Sequence, residues 1–437
     1  MIINRKNIWS LSWPLIIANF TIPLVGLTDT VIMGHMPNSL YLAAIALGGI
    51  VFNFMYAGLN FLRMGTTGIV SQNFGASNFE EIFFSLLRPL FIAFIIGITL
   101  YFCKNLLFEL SVYFLTPDQA LEKFYKEYLF VRMIGLPAGL LNIVFLGWFF
   151  GMQKTRSVML QLITINLVNT IASIYLAVFL DYGIYGVALG SVLAQFSGLF
   201  LSIIIFFNFF KQYNFNLFKV TKMLSIRAFS NLFSISKNLF LRTMLLVFVQ
   251  AYLIKKAGLI GVDQLASMEI LLVIFGLSSY TLDAFAHSAE STVGVSIGSK
   301  NKQNIYKSIK TTTELALFFS IFIGLILYIF NYYFLVMFTN LIALREIIDN
   351  IWGLVVITPF VSMLAFQLDG IFIGATLAKE MRNCMILSSL IFCLIIEFYY
   401  STNLDFKNLY SCFLLFLILR GLFLTMYLNR VFKLVKN

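Results

Sequence analysis

The sequence predicts an all-α polytopic membrane protein, with twelve transmembrane helices in two pseudo-symmetric six-helix lobes. Three observations predict it: a composition too apolar for a soluble chain, about twelve separate apolar runs, and a repeat at a constant offset of 223 residues.

Hydrophobic residues make up 60% of the 437 positions and charged residues 11%, with 49 phenylalanines. Soluble domains carry about 25% charged residues. The mean hydropathy is +0.92. A soluble chain of this length has no interior large enough for so much apolar surface, whereas a bilayer is itself an apolar solvent for the outer faces of helices. The net charge of +11 does not point to nucleic acid, because the bases form no face. They sit in short clusters between apolar runs, as topology signals do.

Runs of about 20 mainly apolar residues place the spans near 11–34, 40–66, 88–115, 126–150, 158–180, 183–210, 228–254, 261–290, 311–338, 350–377, 383–400 and 406–429. The basic N-terminus leads into an apolar stretch too long for a signal-peptide core, so that stretch reads as a retained first helix. Cys103, Cys384, Cys393 and Cys412 lie in or beside apolar segments without metal-ligand spacing, so neither disulfides nor a metal site is expected. With the N-terminus inside, the inner connections carry 18 Lys and Arg against 6 in the outer ones. This predicts a plasma (inner) membrane protein with both termini, and the 211–227 and 299–310 connections, in the cytoplasm.

The repeat pairs Leu42-Ala43 with Leu265-Ala266, Gly75 with Gly298, Asn78 with Asn301, and Gly147-x-Phe149-x-Gly151 with Gly370-x-Phe372-x-Gly374. Single identities are noise in such a composition, but several at one unbroken offset are not. Residues 1–218 then form an N-lobe and 219–437 a C-lobe, six spans each. Repeats of the same orientation suit alternating access.

Ionisable groups inside spans cost about 2.5–3.5 kcal/mol each at a helix centre, so they mark the interior or a water-filled path. Asp29 lies roughly 9 Å below the outer end of helix 1, at about 1.5 Å per residue. Pro23, six residues before it, can bend the helix. An acid so placed can exchange protons, as a coupling site must; the alternative is a carboxylate used in packing or sitting in the headgroups. Helices 5 and 6 offer Asn166, Asn169, Ser173, Ser191 and Gln195, either as hydrogen-bond partners for Asp29 or as links between helices. Helix 8 carries Asp283, His287 and Glu290 along one face, and helix 10 carries Gln367 and Asp369. The helix 8 set reads as a cytoplasmic gate or solvated helix end in preference to a substrate site. Arg63, Lys237 and Arg242 are expected to pair with such acids or to snorkel, whereas Arg132 and Arg420 have no partner legible in the sequence. Aromatic side chains on an inner cavity would suit flat lipophilic cations. No G-x-x-x-x-G-K-[ST] run appears, which excludes that route to ATP, and no nucleophile elbow or Cys/His pair suggests an enzyme.

Several motifs together resemble the multidrug and toxic compound extrusion (MATE) transporters, DinF-like branch. They are Leu27-Thr28-Asp29-Thr30-Val31-Ile32-Met33-Gly34-His35, Phe52-Asn53-Phe54 followed by Phe61-Leu62-Arg63-Met64-Gly65, Tyr280-Thr281-Leu282-Asp283-Ala284-Phe285 with Glu290, and Leu368-Asp369-Gly370-Ile371-Phe372-Ile373-Gly374 with Met381-Arg382-Asn383. The resemblance implies two six-helix lobes and cation-coupled efflux of small organic, lipophilic or cationic compounds. It implies that Asp29 is the protonated acid of the N-lobe, working with Asn169 on helix 5 and Ser191 on helix 6. Ser173 stands where that family has an Asp, which leaves Asp29 as the titrating group of the set. The expected coupling ion is H⁺, with Na⁺ the alternative, and no cofactor or metal is expected. The expected partners are an organic substrate and membrane lipid, without nucleic acid, the chain acting as a monomer. A flippase for a lipid-linked precursor is the other reading; twelve spans and few buried bases count against it.

Overall fold

The structure, a computed structural model, describes residues 3–34, 39–213, 226–399 and 405–435. His35, the Lys219 and Lys222 part of the 211–227 connection, and the last residue of the 383–400 span lie outside the described residues. The helices are α1 (Arg5–Gly34), α2 (Ser39–Leu59), α3 (Phe61–Gly75), α4 (Phe79–Phe102), α5 (Lys104–Leu115), α6 (Gln119–Ile134), α7 (Leu136–Gly151), α8 (Thr155–Ile174) and α9 (Gly183–Tyr213). They continue as α10 (Ile226–Ile260), α11 (Val262–Gly298), α12 (Lys302–Ile329), α13 (Asn331–Phe338), α14 (Ile342–Asp349), α15 (Trp352–Gly374), α16 (Ala378–Leu394), α17 (Phe406–Met426) and α18 (Leu428–Lys433). Both α8 and α16 run on into five-residue π-helical turns, Tyr175–Phe179 and Ile395–Tyr399. No strand occurs among the described residues.

Among these, 11 helical segments are long and apolar enough to cross a membrane, and α6 with α7, bent by 50° at their junction, makes a twelfth. Two spans begin nine residues before the apolar runs, at Phe79 and Lys302 instead of 88 and 311. Their first turns are polar, with Glu80 and Glu81 in α4. Arg88, at the expected start of the third span, is therefore buried well inside α4 and paired with Glu81.

The chain divides into two compact units, Pro14–Leu232, and Phe233–Asn437 together with Met1–Trp13. In the first, α8 lies along α9, α7 packs on α3 and α4, and α2 on α6. In the second, α11 packs on α15 and α12, and α17 on α15 and α16.

Backbone geometry accounts for the repeat. Gly75 and Gly298 are the last residues of α3 and α11. Ser77 and Lys300 both take left-handed backbone, at φ 54° and 53°. Asn78 and Asn301 then cap the next helices, their side chains accepting from Glu81 N at 3.2 Å and Asn304 N at 2.9 Å. A cap of this kind satisfies one of the free N–H groups of the first turn. The glycine pairs are close approaches: a Cβ on Gly147 would overlap the Arg63 backbone and one on Gly151 the Val70 side chain. A Cβ on Gly370 would overlap the Ala286 carbonyl, and one on Gly374 the Glu290 carbonyl. Within each unit, two glycines one turn apart thus let one helix lie against its neighbour's backbone. Gly374→Ala is expected to destabilise the protein by about 1–3 kcal/mol, the usual range for overpacking, read as a lowered unfolding midpoint in detergent. An unchanged midpoint would show that this helix pair has slack.

Candidate functional site

In the unit Pro14–Leu232, Asp29 of α1 is buried at 6% exposure. Hydrogen bonds hold α1 to α8 along the stretch leading up to it, from Asn166 Nδ2 to Thr21 Oγ1 at 2.5 Å and between Thr28 Oγ1 and Thr170 Oγ1 at 3.5 Å. These place the Asp29 carboxyl beside the Ser173 hydroxyl of α8 and within electrostatic reach of Arg132 of α6. Gly190 lets α9 approach at this level, since a Cβ there would meet Ser173. One turn from Ser173, Asn169 donates to Ser191 Oγ of α9 at 3.0 Å. The four residues expected from the sequence, Asp29, Asn169, Ser173 and Ser191, are thus brought to adjoining positions on α1, α8 and α9, all buried. Asp29 Oδ1, Asn169 Oδ1 and Ser173 Oγ find no hydrogen-bond partner among the described residues. Buried polar atoms left open are costly, and these three together form a set able to take up a proton or a small cation.

The sequence reading misses the cationic side of this site. Arg132 donates to Tyr128 Oη at 2.6 Å and lies over the Phe52 ring at 4.5 Å. Tyr56 is a further electrostatic neighbour. An unassigned arginine inside a span was the available signal, because an intramembrane charge requires a partner. Gln195 belongs to a separate link, accepting from Asn142 Nδ2 at 3.1 Å, with Gln161 donating to Asn142 Oδ1 at 3.2 Å.

In the other unit the acids separate into two sets. Asp369 of α15 accepts from both Arg242 of α10 and Arg420 of α17, and all three side chains are buried. Asp283 lies within electrostatic reach of Arg420. Gln367 donates to Thr312 of α12. One turn along α11, His287 Nδ1 and Glu290 Oε2 are 3.2 Å apart. The solvated-end reading of the helix 8 acids does not hold for Glu290, which is 0% exposed and lies within α11, ahead of its last turns. Arg63 meets Asn60 at 3.3 Å and lies over the Phe150 ring, and Lys237 is exposed. No cluster of three His, Cys, Asp or Glu able to hold a metal occurs among the described residues.

The MatE family model matches the chain twice, over residues 14–176 and 238–399, one copy in each half. The chain is 27% identical over 395 residues to DNA damage-inducible protein F of Escherichia coli (strain K12), covering 87% of this chain and 83% of that protein. It is 26% identical over 379 residues to the probable multidrug resistance protein NorM of Photorhabdus laumondii, covering 84% and 82%. A multidrug resistance MATE family transporter of the MOP superfamily, solved in an outward-facing conformation, superposes with a TM-score of 0.88 at 18% identity over 99% of this chain and 97% of that one. A buried acid among open polar groups, a backbone repeated at both halves and a family model matched by each half agree: the chain belongs to the MatE family of multidrug and toxic compound extrusion transporters.

Proposed function

We propose that this transporter is a proton-coupled antiporter of the inner (plasma) membrane that exports lipophilic or cationic organic compounds by alternating access, with Asp29 carrying the coupling proton. The supporting observation is the buried Asp29 carboxyl facing Ser173, with open polar atoms on Asp29, Asn169 and Ser173. Deprotonated, Asp29 attracts Arg132; protonated, it releases that attraction and becomes a hydrogen-bond donor to Ser173 or Asn169. The proton therefore changes which of α6 and α8 holds α1. That is a two-state element of the kind coupling needs.

A proton fits this set better than Na⁺. One carboxylate, one amide oxygen and one hydroxyl are a thin donor set for a dehydrated metal cation, and Arg132 repels a second positive charge. Asp369, a buried acid of the other unit, is already engaged by two arginines. One proton moving through about 100 mV supplies roughly 2.3 kcal/mol, enough for about a 50-fold substrate gradient. The deciding experiment is transport in proteoliposomes with pH and Na⁺ gradients imposed separately. Uphill export driven by Na⁺ and indifferent to pH would overturn the reading.

The proposed orientation has both termini and the start of α12 in the cytoplasm, from the distribution of Lys and Arg. Cysteine at Lys302→Cys is expected to resist an impermeant reagent applied to whole cells, while Lys123→Cys at the opposite face labels. The reverse pattern would invert the topology.

A further inference from the structure

Three arginines inside the spans donate directly to carboxylates, Arg88 to Glu81 and both Arg242 and Arg420 to Asp369. Arg132 of α6 does not. Its one hydrogen bond among the described residues runs from Nη1 to Tyr128 Oη at 2.6 Å. The rest of its support is aromatic, the Phe52 ring at 4.5 Å and the Tyr128 ring at 5.5 Å. Asp29 is its electrostatic neighbour without being in ion-pair contact. A guanidinium carries five N–H donors in a planar fork, so most of those on Arg132 stay open. They are not sealed in. Arg132 is half-buried, and none of its nitrogens is a buried atom lacking a partner, as Arg420 Nε is. The rings that support it are closed off, Phe52 at 1% exposure and Tyr128 at 0%. The guanidinium therefore lines accessible space inside the unit Pro14–Leu232. Tyr56 of α2, also half-buried, is a further electrostatic neighbour of Arg132. Gly139 of α7 makes room for the Tyr56 hydroxyl, which a Cβ there would overlap. That hydroxyl forms no hydrogen bond among the described residues.

We propose that Arg132, assisted by the Tyr56 hydroxyl, is the specificity-determining residue of the transport site, binding an acid group on a zwitterionic organic substrate whose cationic part is answered by deprotonated Asp29. An arginine fork matches a carboxylate or phosphate with two parallel hydrogen bonds. A substrate carrying only a positive charge would be repelled by Arg132, and one carrying only a negative charge by Asp29. A molecule with both replaces the internal attraction of Asp29 for Arg132 with two attractions of its own. A proton on Asp29 removes one of these, so proton and substrate compete. The role of Asp29 here rests on the antiporter reading, which the inference deepens by naming the substrate class. The role of Arg132 is read from binding alone.

The test is fluorescence polarisation on the purified full chain in neutral detergent at fixed pH. The probes are rhodamine B, a zwitterion with a free carboxylate, and its ethyl ester, the matched cation. The parent is expected to bind rhodamine B roughly tenfold or more tighter than the ester, the scale of hydrogen bonds to a charged group. Arg132→Gln should bring that ratio close to one by loss of rhodamine B, and its retained ester binding shows that the variant is folded. Arg132→Lys should fall between, because it keeps the charge without the fork. Tyr56→Phe should lower the ratio about fivefold, as one hydrogen bond would. Lys126→Gln, which removes a positive charge from an exposed position of the same helix, should leave it unchanged. The proposal is overturned if the ester binds as tightly as rhodamine B, if rhodamine B does not bind, if Arg132→Gln keeps the parent ratio, or if Lys126→Gln loses it. Should Arg132→Gln lose both probes, Arg132→Lys and Tyr56→Phe decide, and parent ratios in both overturn the proposal. No gradient enters these measurements, so their failure leaves the coupling role of Asp29 standing. Full pH-driven export by Asp29→Asn would remove that coupling role and leave the parent's acid-to-ester ratio as it is.

Discussion

Asp29→Asn is expected to abolish uphill, pH-driven export while leaving the protein folded and at normal abundance in the membrane. Asn has nearly the volume of Asp and presents a neutral side chain with a donor, as the protonated acid does. It therefore fixes one state of the switch. The attraction to Arg132 is gone at every pH, whereas Arg132 keeps the Tyr128 hydroxyl at 2.6 Å and the face of Phe52. For one proton per substrate at about 100 mV, the sustained gradient should fall from roughly 50-fold to unity. Downhill exchange and substrate binding can survive, because neither requires a proton to come and go. Asp29→Glu should retain part of the activity with a displaced pH profile, since it titrates from a longer stem. Ser173→Ala should do less harm, because the Ser173 hydroxyl only lies beside the acid and does not itself titrate. Proteoliposomes with an imposed pH gradient measure all three. Full uphill export by Asp29→Asn would move the coupling site elsewhere in the chain.

The spans were readable because bilayer thickness sets the length of an apolar run, and that constraint leaves a mark in composition alone. Their limits were less so, and the errors have a common cause. The third and ninth apolar runs each start nine residues after their helices do, since α4 and α12 open with polar turns, Glu80 and Glu81 in one and Lys302 in the other. At their far ends the apolar run continues past a break at Cys103 or Phe330 into α5 or α13. Hydropathy does not register a change of direction. Asp29, Asn169, Ser173 and Ser191 are singled out by a motif resemblance together with the rarity of acids within spans, and the structure brings them to adjoining positions. Arg132 and Arg420 were visible as anomalies, yet their partners were not. Helical spacing exposes neighbours three or four apart, such as His287 and Glu290, or Tyr128 and Arg132. It does not show that Arg242, Asp369 and Arg420 meet from three helices, with 127 and 51 positions between the paired residues. The repeat was legible where backbone geometry demands one residue type, at the Asn78 and Asn301 caps and the glycine contacts, and faded where any apolar side chain fills the space.

Asp369→Asn is expected to lower stability sharply, by about 3–5 kcal/mol, the range found when one partner of a buried ion pair is removed. The physical situation is more severe than a single broken pair. Arg242 and Arg420 both donate to the same carboxylate, so its loss leaves two buried guanidinium groups facing each other across a neutral amide. Asp283, within reach of Arg420, offsets part of that repulsion and keeps the cost within the range for one pair. Removing one arginine as well should restore much of the loss: Asp369→Asn with Arg420→Leu is expected to be more stable than Asp369→Asn alone. Buried ionic groups replaced together by apolar ones are often neutral or stabilising, whereas half-removed ones are not. Unfolding in detergent by denaturant or heat, arranged as a double-mutant cycle, measures the coupling directly. The cycle also separates two roles for this acid. A structural clamp makes the defect one of folding that the second substitution repairs. A coupling proton site would leave Asp369→Asn as stable as the parent and defective only in uphill transport, the pattern expected for Asp29.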